Sequence, residues 1–190
     1  VRSPEFSLLL RKARIKARFF CTLSNKILLG MLQKILLGLG AILIIIQFFQ
    51  IDKTNKEVDP ELDFMNITSP NNEVAEILKT ACYDCHSEKT VYPWYTNVQP
   101  VGWWVKDHVD HGKSHLNFSI WGEYSTDRAD HKLEECVEYV LNEEMPLPSY
   151  TWGHAEARLT DEQREFLAEW FEEQRLIVQN DTLSTSSSDS

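Results

Sequence analysis

Apolar positions recur along this chain at three- and four-residue spacings, the period of a helix. No stretch shows the strict alternation of a half-buried strand. From Ile35 to Ile51 the chain is apolar apart from Gln47 and Gln50, 17 residues in all. That is near the lower limit for spanning a bilayer core. After a stretch with Pro60, Pro70 and scattered charges (52–70, read as a linker), Asn71 or Asn72 caps a helix. Val74, Ile77, Leu78, Ala81 and Cys85 fall on one face of it. Residues 87–102, with Tyr92-Pro93-Trp94-Tyr95 and Pro100, read as a structured loop. A short helix is expected from Trp103 to Gly112 and another from Thr126 to Glu143. The second must stop before Met145-Pro146-Leu147-Pro148, because proline lacks a backbone donor. Thr160-Asp161-Glu162-Gln163 is a capping box, followed by Phe166, Leu167, Trp170, Phe171 and Ile177 on one stripe. The polar, serine-rich stretch 179–190 reads as a disordered tail.

The pattern predicts an all-α protein in five parts. These are a basic N-terminal segment (1–34), a transmembrane signal anchor (35–51), a linker (52–70), a helical domain (71–178) and the tail (179–190). Met31 is a candidate true start, and Cys21 lies before it in the basic segment. The run 35–51 also resembles the apolar region of a secretory signal, but the bulky Gln47-Phe48-Phe49-Gln50 offers no small-residue cleavage site, which favours an uncleaved anchor.

Charge sharpens this division. Eight of the 19 Lys and Arg precede Asp52, with one acid, so residues 52–190 hold 11 basic and 28 acidic side chains, a net of −17. Basic residues before an apolar run keep that end in the cytoplasm and send the rest across. In a bacterium this makes a single-pass inner-membrane protein with its helical domain in the periplasm, in contact with lipid through 35–51. The acid excess excludes nucleic acid, whose phosphates need the opposite sign. It suits a solvated surface, or a face that docks a basic redox partner.

Cys82-Tyr83-Asp84-Cys85-His86 is the chain's chemical signature. C-x-x-C-H is the attachment pattern of a c-type haem. Two thiols at this spacing each bond a haem vinyl group, and the adjacent imidazole ligates one face of the iron. Zinc is the alternative, with Cys82, Cys85, His111 and His115 as ligands. Cys136 shares a helical face with Leu133, Val137 and Val140 and reads as a buried thiol. The iron's second face calls for a methionine or histidine. Met145, in a loop stiffened by two prolines, is the first candidate, with His108 and His115 as alternatives. Tyr92, Trp94, Tyr95, Trp103, Trp104, Trp121, Tyr150 and Trp152 are read mostly as core packing, some of them enclosing the haem.

Four segments carry a family resemblance: CYDCHSEKTVYPWYTNVQPVGWWVKDHV, HLNFSIW, EEMPLPSY and LTDEQREFLAEWF. Between about Asn72 and Phe171 the chain resembles the bacterial single-haem "haem-binding domain" proteins, with Glu88 where the family has Asn. The resemblance implies one covalent haem on Cys82 and Cys85, His86 as axial ligand and Met145 as the second. The order of helix, CxxCH, loops, Met and C-terminal helix is also similar to class I cytochromes c. That likeness implies that the helix from Asn72 crosses the helix from Thr160, with Trp170 or Phe171 against Ile77, Leu78 or Ala81. A haem ligated on both faces makes an electron carrier rather than an enzyme. The alternatives are a peroxidase-like or gas-sensing haem with an open distal side, and a haem-stabilised or zinc-binding interaction domain.

Overall fold

A computed structural model describes the backbone of residues 28–188 and side chains to 180. Cys21 and the rest of the basic segment before Leu28 lie outside the described residues. The described chain is all-helical and falls into two compact units. One holds the N-terminal apolar helix to Gln50 with Val98–Pro100. The other holds Ile51–Asn97 and the chain from Val101 onward.

The first unit is built on helix α1, Leu28–Ile46. Its described part already includes Leu28, seven residues before the expected Ile35, and carries Lys34 along on its exposed surface. A lysine is tolerated in such a helix because its long stem lets the ammonium reach a polar layer. The helix ends before the expected Ile51. At Gln47, Phe48 and Phe49 the backbone tightens to three-residue hydrogen bonds onto Ile44, Ile45 and Ile46. The Gln47 side chain then serves Gln99, donating to its carbonyl at 2.9 Å and accepting from its N–H at 2.9 Å. At ~1.5 Å per residue the 19 residues of α1 span about 28 Å, close to a bilayer's hydrocarbon thickness. Such a helix is long and apolar enough to cross a membrane, a property that signal sequences share.

The second unit begins in the stretch read as a linker, and here the structure corrects the sequence reading. Pro60–Leu62 forms a 3-10 turn, and α2 (Phe64–Thr68) follows, capped by the Asp63 side chain on Met65 N–H. Phe64 is fully buried and sits at the hub of the core. It stacks on Phe118 (centroids 4.9 Å apart) and meets Trp121 edge-on at 4.6 Å and Trp170 at 5.7 Å. One buried residue in a five-residue helix leaves no periodic trace, which is why the pattern missed it.

Helix α3 (Asn72–Ala81) starts where Asn71 accepts from Val74 N–H, and it buries Val74, Ile77 and Leu78. The short α4 (Tyr83–His86) follows, then α5 (Val101–His115) and α6 (Thr126–Leu141). After α6 come α7 (Pro148–Gly153) and α8 (Asp161–Ser188). The capping box closes as expected, with Thr160 N–H donating to Gln163 and Gln163 N–H to Thr160. Trp170 and Phe171 do share one core with Ile77, Leu78 and Ala81. The expected crossing of α3 and α8 is not among the main helix contacts, however; α8 packs chiefly on α6. Arg175 adds ion pairs across that pair, to Asp130 at 2.8 Å and to Glu134 at 3.0 Å. α8 also runs on to Ser188, through the stretch read as a disordered tail. Gln179 bonds Asp130 at 2.7 Å, so the α6 contact continues one turn past Arg175.

Candidate haem site

Cys82 is the hinge on which the site is built. Its N–H still closes the last turn of α3 on Leu78, while its carbonyl starts a new turn, accepting from Cys85 at 3.2 Å and His86 at 3.0 Å. Its φ of −123° breaks the helix axis between the two turns. Tyr83 anchors the new turn from below. Its ring stacks on Phe118 (5.2 Å, 7°), and its hydroxyl donates to buried Asp63, which also pairs with Lys89. Cys85 and His86 then point in different directions.

Cys85 faces a cavity of about 400 Å³, within the range of ~300–1,000 Å³ usual for small-molecule and cofactor sites. α4 contributes Asp84 and Cys85 to its wall, and the following loop contributes Thr90, Val91, Trp94 and Tyr95. α5 adds Trp104, Val105, His108 and Val109, and the α7 region adds Leu147, Tyr150, Trp152 and His154. Trp94 and Trp152 are 78% and 87% exposed, so the cavity opens on their side. Most of the aromatics assigned to the core therefore line this cavity instead, and Trp121 is the one that stays in the core.

His86 faces the C-terminal end of α5. Its Nδ1 lies 3.1 Å from the Gly112 carbonyl and 3.1 Å from the Leu116 carbonyl. Carbonyls only accept, so Nδ1 carries the hydrogen and Nε2 keeps its lone pair. Burial holds the imidazole below its ordinary pKa, against the opposing pull of the two carbonyls. A neutral ring with Nδ1 fixed to backbone is the arrangement of a metal-ligating histidine. The two turns approach closely because residue 112 is glycine: a Cβ there would stand 2.6 Å from the Cys85 carbonyl oxygen.

Glu88, where the resemblance leads one to expect Asn, locks this corner. It pairs with Lys113 of α5 at 2.9 Å and accepts from Asn117 at 3.2 Å and from Lys56 N–H at 3.2 Å. Burial pushes its carboxyl up, but Lys113 and these donors hold it below the usual range.

The three cysteines among the described residues are free thiols. Burial pushes Cys82 up to about 12 and Cys85 to about 11, and it raises Cys136 as well. The zinc set does not assemble. His111 and His115 lie on the exposed face of α5 with their Nε2 atoms 3.2 Å apart. Among the described residues no three His, Cys, Asp or Glu converge to hold a metal ion.

The other sequence candidates are spread around the cavity. Met145 is half-buried and is not on the wall, although Leu147, two residues on, is. Its backbone is held at both ends, the N–H by Tyr139 at 3.0 Å and the carbonyl by Arg164 at 2.7 Å. His108 is on the wall, with Nδ1 2.8 Å from the Trp104 carbonyl. His115 is off it. Gly112 and Leu116 escaped the sequence reading because they act through backbone atoms or the lack of a side chain, and Glu88 was noted there only as a departure from the family, with no role.

An apolar cavity with Cys85 and His108 on its wall suits an apolar cofactor, but Cys82 and His86 are not among the residues that line it. Comparison with protein families decides the class: the haem-binding domain family model matches residues 41–173. The chain belongs to the haem-binding domain family. It is a haem protein, and the match runs from within α1 through most of the helical unit into α8. Comparison with curated proteins and with solved structures finds no match. In this haem-binding domain Asp84 and Cys85 of the CxxCH turn, the first part of α5 from Val101 to Val109 and the α7 region line the cavity, whereas Cys82 and His86 do not.

Proposed function

We propose that this haem-binding domain is a membrane-anchored c-type haem protein that passes single electrons on the periplasmic side of a bacterial inner membrane. The observation that carries the reading is His86. Its Nδ1 is tied to two backbone carbonyls and its Nε2 is left free, one residue from a cysteine on an apolar cavity wall. In this reading Cys82 and Cys85 would hold one haem by thioether bonds and His86 would ligate its iron. When bound, the haem supplies a one-electron Fe(III)/Fe(II) couple.

The chain's own residues keep that couple isolated. Gly112 and Leu116 fix the tautomer and orientation of His86, the residue that would ligate the iron. Trp104, Tyr95 and Tyr150 give the cavity aromatic walls. Met145 is our choice for the second ligand, because its backbone is pinned on both sides just before the wall residue Leu147. A second reading rests on His108, which stands on the wall with its Nδ1 already engaged and Nε2 available. It would give bis-histidine ligation or a base beside an open iron. The basic residues before α1 favour the periplasmic orientation. The net −17 of residues 52–190 would steer a basic redox partner to the domain.

Visible and near-infrared spectra of both redox states, with and without carbon monoxide, test this reading. An electron carrier with Met145 ligation shows a weak sulfur-to-iron band when oxidised, lost in Met145→Ala, and binds carbon monoxide slowly when reduced. Rapid carbon monoxide binding at neutral pH would instead indicate an accessible iron and an enzyme or sensor.

A further inference from the structure

The last two turns of α5 carry a pair of side chains to which the haem site gives no task. His111 and His115 are four residues apart, so they stand one above the other on one helix face. Both are exposed, with Nε2 atoms 3.2 Å apart and ring centroids 4.7 Å apart. Two Nε2 atoms this close share a single hydrogen: one ring donates its N–H and the other offers its lone pair. Two nitrogens at ~2.0–2.1 Å from one ion, at an angle of roughly 90–110°, lie about 2.9–3.4 Å from each other. The histidine pair therefore already stands at the spacing of neighbouring ligands of one ion.

The surroundings favour a cation. Lys113, between the two in sequence, is drawn to Glu88, with which it pairs at 2.9 Å. Lys106 is neutralised by Asp110. Asp107 is exposed one turn before His111 on the same face and adds negative charge. Among the described residues no third His, Cys, Asp or Glu converges on the pair, so water would complete the coordination. Imidazole ligands select late first-row ions over magnesium and calcium, with Cu(II) the strongest binder.

We infer that His111 and His115 chelate one divalent late first-row transition-metal ion, and that the ion locks the last turn of α5. Cys82 and Cys85 take no part in this site, and it stands independently of the haem reading. The ion takes the place of the shared hydrogen, which moves through water to Nδ1 of the same ring, so both rings stay neutral. The lock follows from sequence position. Gly112 and Leu116 directly follow the two histidines, and their carbonyls hold His86 Nδ1. Leu116 N–H closes on the Gly112 carbonyl at 2.9 Å. A bridge from 111 to 115 thus spans the turn that orients His86.

The test is calorimetric titration of the full-length protein, as purified, with Ni(II), which does not oxidise thiols, at about pH 7.5, where an ordinary imidazole (pKa ~6.5) is neutral. His111→Ala, His115→Ala and His131→Ala are titrated beside the wild type. The wild type should bind one ion strongly. Either of the first two variants should weaken that ion at least about tenfold, since even a hydrogen-bonding partner of a ligand is worth ~10–100-fold. His131, exposed on α6 beside Glu134 and Glu135, should be replaceable without effect. Hydrogen exchange at residues 112–116, read by mass spectrometry, should slow when Ni(II) is added to the wild type and not in the two α5 variants. If each α5 variant loses one weak ion and keeps the other unchanged, the histidines bind separately and the chelate is overturned. No strong ion in the wild type, or one that His131→Ala removes, would overturn it too. A bound ion with unchanged exchange would overturn the lock.

Discussion

Two residues that act through backbone carbonyls, one of them also through the lack of a side chain, decide where His86 points. His86 is ordered by the carbonyls of Gly112 and Leu116, and α4 can approach α5 only because position 112 lacks a Cβ. Gly112→Ala should therefore push the Cys85 turn away. A destabilisation of ~1–3 kcal/mol, typical of overpacking, is expected in urea unfolding, with reduced haem incorporation. His86 also gives a pH signature in protein produced without haem. Burial depresses its folded-state pKa below the ordinary ~6.5. Above that value the ring is neutral in both states and its contribution is complete. As the pH falls below it, the unfolded chain binds a proton that the folded chain refuses, and stability drops. Thermal melts should lose less between pH 7.5 and 5.5 in His86→Asn than in the wild type (about one pH unit either side of ~6.5). An equal loss in both proteins would contradict the neutral, buried ring. The CxxCH spacing was legible in the sequence because it is local. The carbonyls that complete the site were not, because every residue has one.

Elements were legible in proportion to their length and caps. The Thr160 capping box and the stripe after it placed the start of α8 correctly. The Asn71 cap did the same for α3. α5 extends past the expected stop at Gly112, since a helix tolerates a glycine where another chain segment must come close. α2 was invisible: its contribution is the single residue Phe64, meaningful only once Phe118, Trp121 and Trp170 are brought around it. Phe64→Ala should cost ~3–5 kcal/mol in chemical denaturation, as large-to-small changes in aromatic cores do. A cost within ~0.5 kcal/mol, usual for surface positions, would return 52–70 to the status of a linker.

At the scale of the whole molecule, the sequence divided the chain into an apolar helix and a helical domain rich in acids, and both are present. The apolar helix sits several residues earlier than its least polar window, because an exposed lysine stem does not interrupt a helix. The orientation argued from the basic N-terminal residues predicts that alkaline phosphatase fused after Ser190 is active. An inactive fusion, with an active cytoplasmic reporter at the same point, would reverse the topology. The claim on which all of this turns is a covalent haem at the CxxCH turn, and it is tested most directly by haem staining of the full-length protein on a denaturing gel, with the mass of the intact chain. The account predicts a stained band and a mass increase of one haem, both abolished in Cys82→Ala/Cys85→Ala. A protein that binds haem in solution but runs unstained, at the mass of the bare chain, would contradict it.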